Sequence, residues 1–232
     1  MNVIITGGSR GIGKAIAEQF AAAGHTLLLG AGNEAALQAT AAEIRAAWPT
    51  CTVHTRQANL SIQAEAEAFG SWCLEHGTPG ILVNNAGRFL PGSIHNEEQG
   101  TLEKMIETNL YSAYHVTRSV LPAMLKQRAG HIFNMCSIAS LQAYANGGSY
   151  SISKFALLGF SKNLREELKP HNIKVTAILP GAAYTDSWKG SGVDPQRIME
   201  AADVAKMVYA TSLLSPQAVV EDIVLRPQLG DL

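Results

Sequence analysis

Short apolar, β-branched runs alternate with helix-length stretches along the whole chain, and no other feature limits the possible folds as much. Runs at 2–6, 26–29, 52–57, 81–83, 131–135, 174–179 and 219–225 read as strands. Stretches at 13–23, 34–47, 64–75, 101–127, 150–168 and 204–213 read as helices. Ile12, Ile16 and Phe20 recur at four-residue spacing on one face of the first helix, and Gly24 is its expected stop. Pro122 falls inside the 101–127 stretch and is expected to kink it. Strands and helices in this order imply βαβ units and a parallel sheet covered on both faces. No repeat, low-complexity linker or composition break divides the chain. The expected architecture is therefore a single α/β domain over 1–232, a doubly wound parallel sheet of the Rossmann type with helices on both faces.

Composition narrows the function classes. A chain of 232 residues with 47% hydrophobic and 16% charged residues suits one folded domain rather than a disordered segment. A net charge of −1 offers no basic face for nucleic acid and no polybasic patch for anionic lipid. The run Lys126-Gln127-Arg128 reads as a solvated helix end. Cys51, Cys73 and Cys136 are odd in number and lack metal-ligand or CxxC spacing, so reduced thiols and a cytoplasmic location are expected. The histidines form no HxxxH or Cys/His cluster, and no metal is expected. No apolar run approaches the roughly 20 residues that cross a bilayer. The N-terminus begins directly with a strand-like run, so no signal peptide is expected.

Three motifs carry chemistry. Thr6-Gly7-Gly8-Ser9-Arg10-Gly11-Ile12-Gly13 lies between the first strand and the first helix. Small residues there allow a tight turn and a close approach of pyrophosphate to the backbone, and the helix N-terminus beyond offers free N–H groups. The spacing is GxxxGxG rather than GxGxxG, and alone it is equally a tight strand-to-helix turn. Tyr150 and Lys154 stand four apart, on one face of a helix. A phenol near pKa ~10 is a poor acid/base at neutral pH, and a neighbouring ammonium favours its ionised form. Alone, the pair is equally a surface pair. Ser137 ends the 131–135 strand, where its hydroxyl could donate to a substrate carbonyl oxygen or merely cap a turn. Together the three point to one ligand site at the carboxyl edge of a parallel sheet.

The chain resembles the classical short-chain dehydrogenases/reductases over essentially its whole length. The resemblance rests on TGGSRGIG at 6–13, NNAG at 84–87, Asn109, Ser137, YSISK at 150–154 and PGAAYT at 180–185. It implies a catalytic tetrad of Asn109, Ser137, Tyr150 and Lys154. Lys154 would also bond the nicotinamide ribose, and Asn109 would hold a water in a proton relay to Lys154. The implied cofactor contacts are Gly7, Ser9, Arg10, Gly11, Ile12, Gly13, Asn59, Leu60, Asn85, Ala86, Gly87, Tyr150, Lys154, Pro180, Gly181 and Thr185. Asn85 would lie against the adenosine half, and Thr185 would bind the carboxamide or phosphates. The segment 182–199, rich in Gly, Ser, Asp and Pro, would form a lid over the substrate.

Several positions depart from the family pattern. Many NAD-users have an Asp at the end of the second strand and many NADP-users an Arg one residue later; here Ala31 and Gly32 stand there. Arg10 is of the kind that meets a 2′-phosphate. NADP(H) is therefore favoured, with NAD(H) possible. Asn59 replaces the usual Asp near adenine, and its amide oxygen can accept the same bond. The C-terminal VVEDIVLRP replaces the Gly-rich ending of acyl-carrier-protein ketoreductases and argues against that role. The expected reaction is reversible hydride transfer between the cofactor and a small carbonyl or alcohol substrate. Phe89, Leu90, Leu141, Tyr144, Tyr184 and Trp188 are candidates to line an apolar pocket. A nucleotide-binding regulator with little turnover, and an epimerase or dehydratase on the same fold, are the rival readings. A homodimer or homotetramer is expected to form through the 101–127 and 150–168 helices, with Leu157, Leu158, Phe160 and Leu164 leaving more than one face to cover.

Overall fold

The computed structural model describes residues 1–188 and 192–231. The chain runs β1 (Asn2–Thr6), α1 (Gly11–Ala22), β2 (Thr26–Ala31), α2 (Glu34–Ala47), β3 (Val53–Gln57), α3 (Gln63–Glu75) and β4 (Pro79–Asn84). It continues through α4 (Thr101–Ile106), α5 (Ser112–Gln127), β5 (Gly130–Met135), α6 (Gly148–Leu168) and β6 (Ile173–Pro180). The remaining elements are β7 (Ala183–Tyr184), β8 (Met199–Glu200), α7 (Ala201–Ser212) and β9 (Asp222–Leu225).

Seven strands form one parallel sheet in the order β3-β2-β1-β4-β5-β6-β9. Its strands are apolar on both faces, as a doubly covered sheet requires. Val3, Ile5, Leu27, Leu29, Ile81 and Val83 share a core with Ile16, Phe20, Leu37, Ile44, Val204 and Val208, which belong to α1, α2 and α7. The alternate positions Ile4, Leu28 and Leu82 pack with Phe69, Val116, Val120, Met124, Leu164 and Leu168 of α3, α5 and α6. The doubly wound architecture expected from the alternation is the one observed.

Local differences have physical causes. α5 runs through Pro122 as one helix, and the departure from α geometry lies upstream, in a π-helical turn at Glu107–Tyr111. Such turns re-aim side chains, and this one carries Asn109. The interface residues expected on the 150–168 helix are largely taken up by the chain's own core: Leu157, Leu158 and Leu164 are buried there. The apolar side chains these helices leave exposed are instead Leu102, Tyr111, Tyr114, Ile152 and Phe155. The base of the 182–199 segment is tied by β7 pairing with β8, Ala183 to Met199 and Tyr184 to Glu200. Gly190, used in reading that segment, lies outside the described residues. All three cysteines are free and buried. Among the described residues, no helix is long and apolar enough to cross a membrane.

One buried titratable group makes the fold sensitive to acid. His131 stacks on Phe133 with ring centres 3.9 Å apart. The Thr176 hydroxyl donates to the Val220 carbonyl (2.6 Å) and so accepts from His131 Nε2 (2.8 Å). Nδ1 is then left buried without a partner. Burial, with Lys174 adding to it, pushes His131 down to about 3. The unfolded chain takes up a proton near pH ~6.5 and the native state does not, so stability is full above that pH and falls as pH drops toward 3. His131→Gln keeps a donor for Thr176 and loses the proton site. Between pH 6 and 4 its urea midpoint should fall less steeply than that of the wild type, by up to about 1.4 kcal/mol of stability per pH unit. Equal slopes would contradict the assignment.

Candidate active site

The order of strands reverses between β1 and β4, and the loops leaving their carboxyl ends open a crevice there. The glycine loop 6–13 follows β1, Asn85, Ala86 and Gly87 follow β4, and Ser137 follows β5. Pro180 ends β6, followed by Gly181 and Thr185. The other sequence-predicted site residues lie in the loop after β3 (Asn59 and Leu60), on α6 (Tyr150 and Lys154) and on the turn before α5 (Asn109). Ile12 packs against the core beneath the loop and Leu60 is buried in the core on the other face, which leaves them little beyond their backbones to offer a ligand.

The glycine loop is shaped by close backbone contacts. Gly7 adopts φ +66°, a left-handed conformation that a side chain disfavours. A Cβ at Gly13 would strike the Gly7 carbonyl oxygen. The Asn85 side chain braces the loop: its Nδ2 donates to the Thr6 and Gly7 carbonyls (3.0 and 3.2 Å). Arg10 precedes α1 in extended conformation, is largely exposed, and lies 4.0 Å from the Asp186 carboxylate. The Arg10 side chain does not cap the first turn of α1, and that turn carries no acidic residue. The Thr185 side chain sits over Gly11. At Asn59 the amide oxygen accepts from both the N–H (3.3 Å) and the hydroxyl (2.8 Å) of Ser61. The acceptor expected to face adenine is thus already engaged in a local turn.

Ser137, Tyr150 and Lys154 converge beside this loop. Ser137 Oγ accepts from the Ala139 N–H (3.1 Å), which holds it at the head of a short 3-10 turn, close enough to Tyr150 to draw the phenol's pKa downward. Lys154 is buried. Its Nζ donates to the Met135 carbonyl (2.7 Å) and lies 5.8 Å from the centre of the Tyr150 ring. Asn109 is fully buried. It accepts from the Arg88 N–H (2.7 Å) and donates to the Arg88 carbonyl (3.0 Å) and Ser153 Oγ (2.9 Å). Phe89, the next residue, meets the Tyr150 ring edge-on at 4.9 Å.

Burial sets the electrostatics. It pushes Tyr150 up to about 12, with nearby Ser137 pulling the other way, and it pushes Lys154 down to about 8. The expected lowering of Tyr150 by Lys154 is not seen. Lys154 is not among the groups that shift the phenol, and its ammonium is bonded to the Met135 carbonyl.

Sequence reading missed the residues that hold the site together. Thr6 Oγ1 accepts from the N–H groups of both Asn85 and Ala86, each at 2.9 Å. Thr40 of α2 donates to the Ser9 carbonyl (2.8 Å). Asn84 donates to Thr117 and Asn134 (2.9 Å each), and Asn134 donates to Ser161 (3.1 Å), so that one buried polar network joins β4 and β5 to α5 and α6. Asn84 and Asn134 are register partners at the ends of otherwise apolar runs. A polar residue at such a position is the one signal that could have found them.

A family profile described as short chain dehydrogenase matches residues 1–195. The chain belongs to the short-chain dehydrogenase family. It is 32% identical to a sepiapterin reductase from Chlorobaculum tepidum, an alignment that covers 99% of this chain and 97% of the relative. Among solved structures it is similar to an alcohol dehydrogenase from the archaeon Thermococcus sibiricus complexed with 5-hydroxy-NADP. That match has TM-score 0.89 at 26% identity and covers 98% and 96% of the two chains. The closed form of a serine dehydrogenase complexed with NADP+ superposes with TM-score 0.87 at 27% identity, over 100% and 97%. The protein is thus an oxidoreductase of the short-chain dehydrogenase family.

In this short-chain dehydrogenase the Thr6 hydroxyl is the acceptor on which the crevice depends. Thr6→Val keeps the shape, leaves the Ala86 N–H without its partner and leaves the Asn85 N–H with the Val83 carbonyl (3.1 Å) alone. At ~1–3 kcal/mol for an unsatisfied buried group, the variant should lose about 1–3 kcal/mol of stability in chemical denaturation. A loss below about 0.5 kcal/mol would show that the bonds contribute little.

Proposed function

We propose that this protein reduces a small carbonyl compound with NADPH, with Tyr150 as the proton donor. The observation that carries the reading is the convergence of Tyr150, Ser137 and Lys154 at the strand edge beside the glycine loop. The loop fits a dinucleotide. Gly7 and Gly13 keep side chains out of it, and the first turn of α1, which carries no acidic residue, presents N–H groups and partial positive charge to an anion. Thr185, Pro180 and Gly181 would border the nicotinamide end, and Asn85, Ala86 and Gly87 would line the middle.

Arg10 supports NADPH over NADH. Its guanidinium is exposed at the loop, and Ala31 and Gly32 put no carboxylate where a 2′-phosphate would sit. The two solved neighbours described above were bound to NADP+ or an NADP derivative, which supports the same choice.

A bound nicotinamide supplies the hydride. Tyr150 gives its proton to the carbonyl oxygen as the hydride reaches the carbon, which yields the alcohol. Ser137, which stands beside the phenol, donates to the same oxygen. A phenol held near 12 stays protonated through the neutral range, which suits the reducing direction. Lys154 offsets the negative charge left on Tyr150, and Asn109 holds Arg88 and Ser153 in place around it. Phe89, Leu141 and Tyr144 are exposed nearby and favour an apolar substrate. The 182–199 segment, anchored by Thr185 over Gly11, acts as the cover. A pure nucleotide-binding regulator would have no use for a Ser137–Tyr150 pair at this edge.

The same reading includes self-association. Leu102, Tyr111, Tyr114, Ile152 and Phe155 are exposed on α4, α6 and the turn and helix between them. An apolar cleft of about 450 Å³ that includes Ile94, Tyr144, Ile152 and Phe155 opens beside them. Pairing through α5 and α6 would cover this face.

Two measurements test these statements. Tyr150→Phe should lose about 10²–10⁴-fold in carbonyl reduction while NADPH binding stays within about twofold; turnover within threefold of wild type would end the mechanism. Light scattering of the wild type at micromolar concentration should give a dimer or tetramer of the 24.7 kDa chain. A monomer would reject the pairing.

A further inference from the structure

We propose that Glu97 is a positioning residue for Tyr150: its carboxylate fixes the first turn of α6 and so sets where the phenol stands. The proposal rests on the reading of Tyr150 as proton donor.

α6 begins at Gly148, and Tyr150 lies in its first turn. A first turn has N–H groups with no partner inside the helix. No residue of α6 or its N-cap supplies a side-chain cap. The partner comes from the loop after β4. Glu97 Oε1 accepts the Ser149 N–H at 2.7 Å, and Oε2 accepts the Ser149 hydroxyl. A carboxylate gripping a backbone N–H and a hydroxyl of one residue fixes both the rise and the rotation of that turn. A negative group also suits the positive end of a 21-residue helix.

The surroundings are shaped for this contact. Gly148 has φ +29°, and a Cβ there would collide with Glu97 Oε1 and the Gly92 carbonyl. The Gly92 N–H donates to the Asn146 carbonyl (3.1 Å), and Ser93 Oγ donates to Asn146 Oδ1 (2.9 Å). At its other end the same loop is held by Asn109 through Arg88 and lays Phe89 edge-on against the Tyr150 ring. One loop therefore holds Tyr150 twice: at the ring through Phe89, and at the backbone one residue before it through Glu97. In a helix each residue fixes the next by ~1.5 Å of rise and about 100° of turn, so a slip at Ser149 is passed to the phenol. A displacement of ~1 Å at a reacting group can cost on the order of 10²-fold in rate.

An ordinary helix cap would stabilise α6 without setting the rate. The two roles separate in kcat and cofactor affinity measured on the full chain, with NADPH and any carbonyl that it reduces. Glu97→Ala should lower kcat by about 10–100-fold and leave the NADPH dissociation constant within twofold. Glu97→Gln, which keeps an acceptor for the N–H, should recover kcat to within about threefold of wild type. Glu97→Asp, one methylene shorter and still charged, should lower kcat at least fivefold, and it decides the matter if the alanine variant does not fold. A kcat within twofold of wild type in the Ala or Asp variant overturns the proposal. So does a kcat loss that Gln does not recover, or one matched by an equal loss of NADPH affinity. Tyr150→Phe run alongside separates the failures. If it is impaired and Glu97→Ala is not, only the positioning role falls. If it too is fully active, the reading of Tyr150 falls and the positioning role with it.

Discussion

The hydroxyl of Thr6 joins the two halves of this molecule. Two parallel strands that leave the sheet in opposite senses open a gap at their carboxyl ends, and backbone groups in such a gap have no sheet partner. Here the Asn85 and Ala86 N–H groups turn to one side-chain oxygen on β1. The Asn85 side chain answers by holding the carbonyls of Thr6 and Gly7. That reciprocal bonding sets the width of the crevice. From it the glycine loop extends to one side, and the segment carrying Arg88, Phe89 and Glu97 extends to the other.

Within the crevice two opposing desolvations are set against each other. Burial makes Tyr150 a weaker acid and Lys154 a weaker base, so both neutral forms gain. In the proposed reaction, proton loss from Tyr150 would be coupled to charge developing on the substrate oxygen, with the Lys154 ammonium offsetting the phenolate. Such a pair does little until a substrate arrives. This is how a site avoids wasting its acid on water. The buried Asn84–Asn134 network reaches α6 through Ser161, and Asn109 reaches it through Ser153, so both hold in place the one helix that bears Tyr150 and Lys154.

The periodicity of short strands and longer helices was enough to read the layered fold, since a sheet dried on both faces leaves an unmistakable apolar signature at Val3–Ile5, Leu27–Leu29 and Ile81–Val83. The glycine loop and the Tyr150/Lys154 spacing were legible because their chemistry restricts residue type. What was hidden depended on contacts between residues far apart in sequence. Glu97 and Ser149 are brought together only by the fold, and nothing in either segment announces the other. The direction of the Tyr150 shift was misjudged because spacing shows that Lys154 is near but not that its ammonium bonds the Met135 carbonyl. Leu157, Leu158 and Leu164 read as spare apolar faces, and only the position of β6 and α5 reveals that the core consumes them.

The central claim is that this crevice passes a hydride from NADPH to a carbonyl carbon. The most direct measurement follows the label. The protein is incubated with NADPH carrying deuterium on the transferable face of C4, together with a panel of apolar aldehydes and ketones, and the products are examined by proton NMR and mass spectrometry. The account predicts an alcohol with one deuterium on its carbinol carbon, from one face of the nicotinamide only. Bound NADPH that keeps its deuterium with every carbonyl tested, or an alcohol whose carbinol hydrogen comes from water, would contradict it.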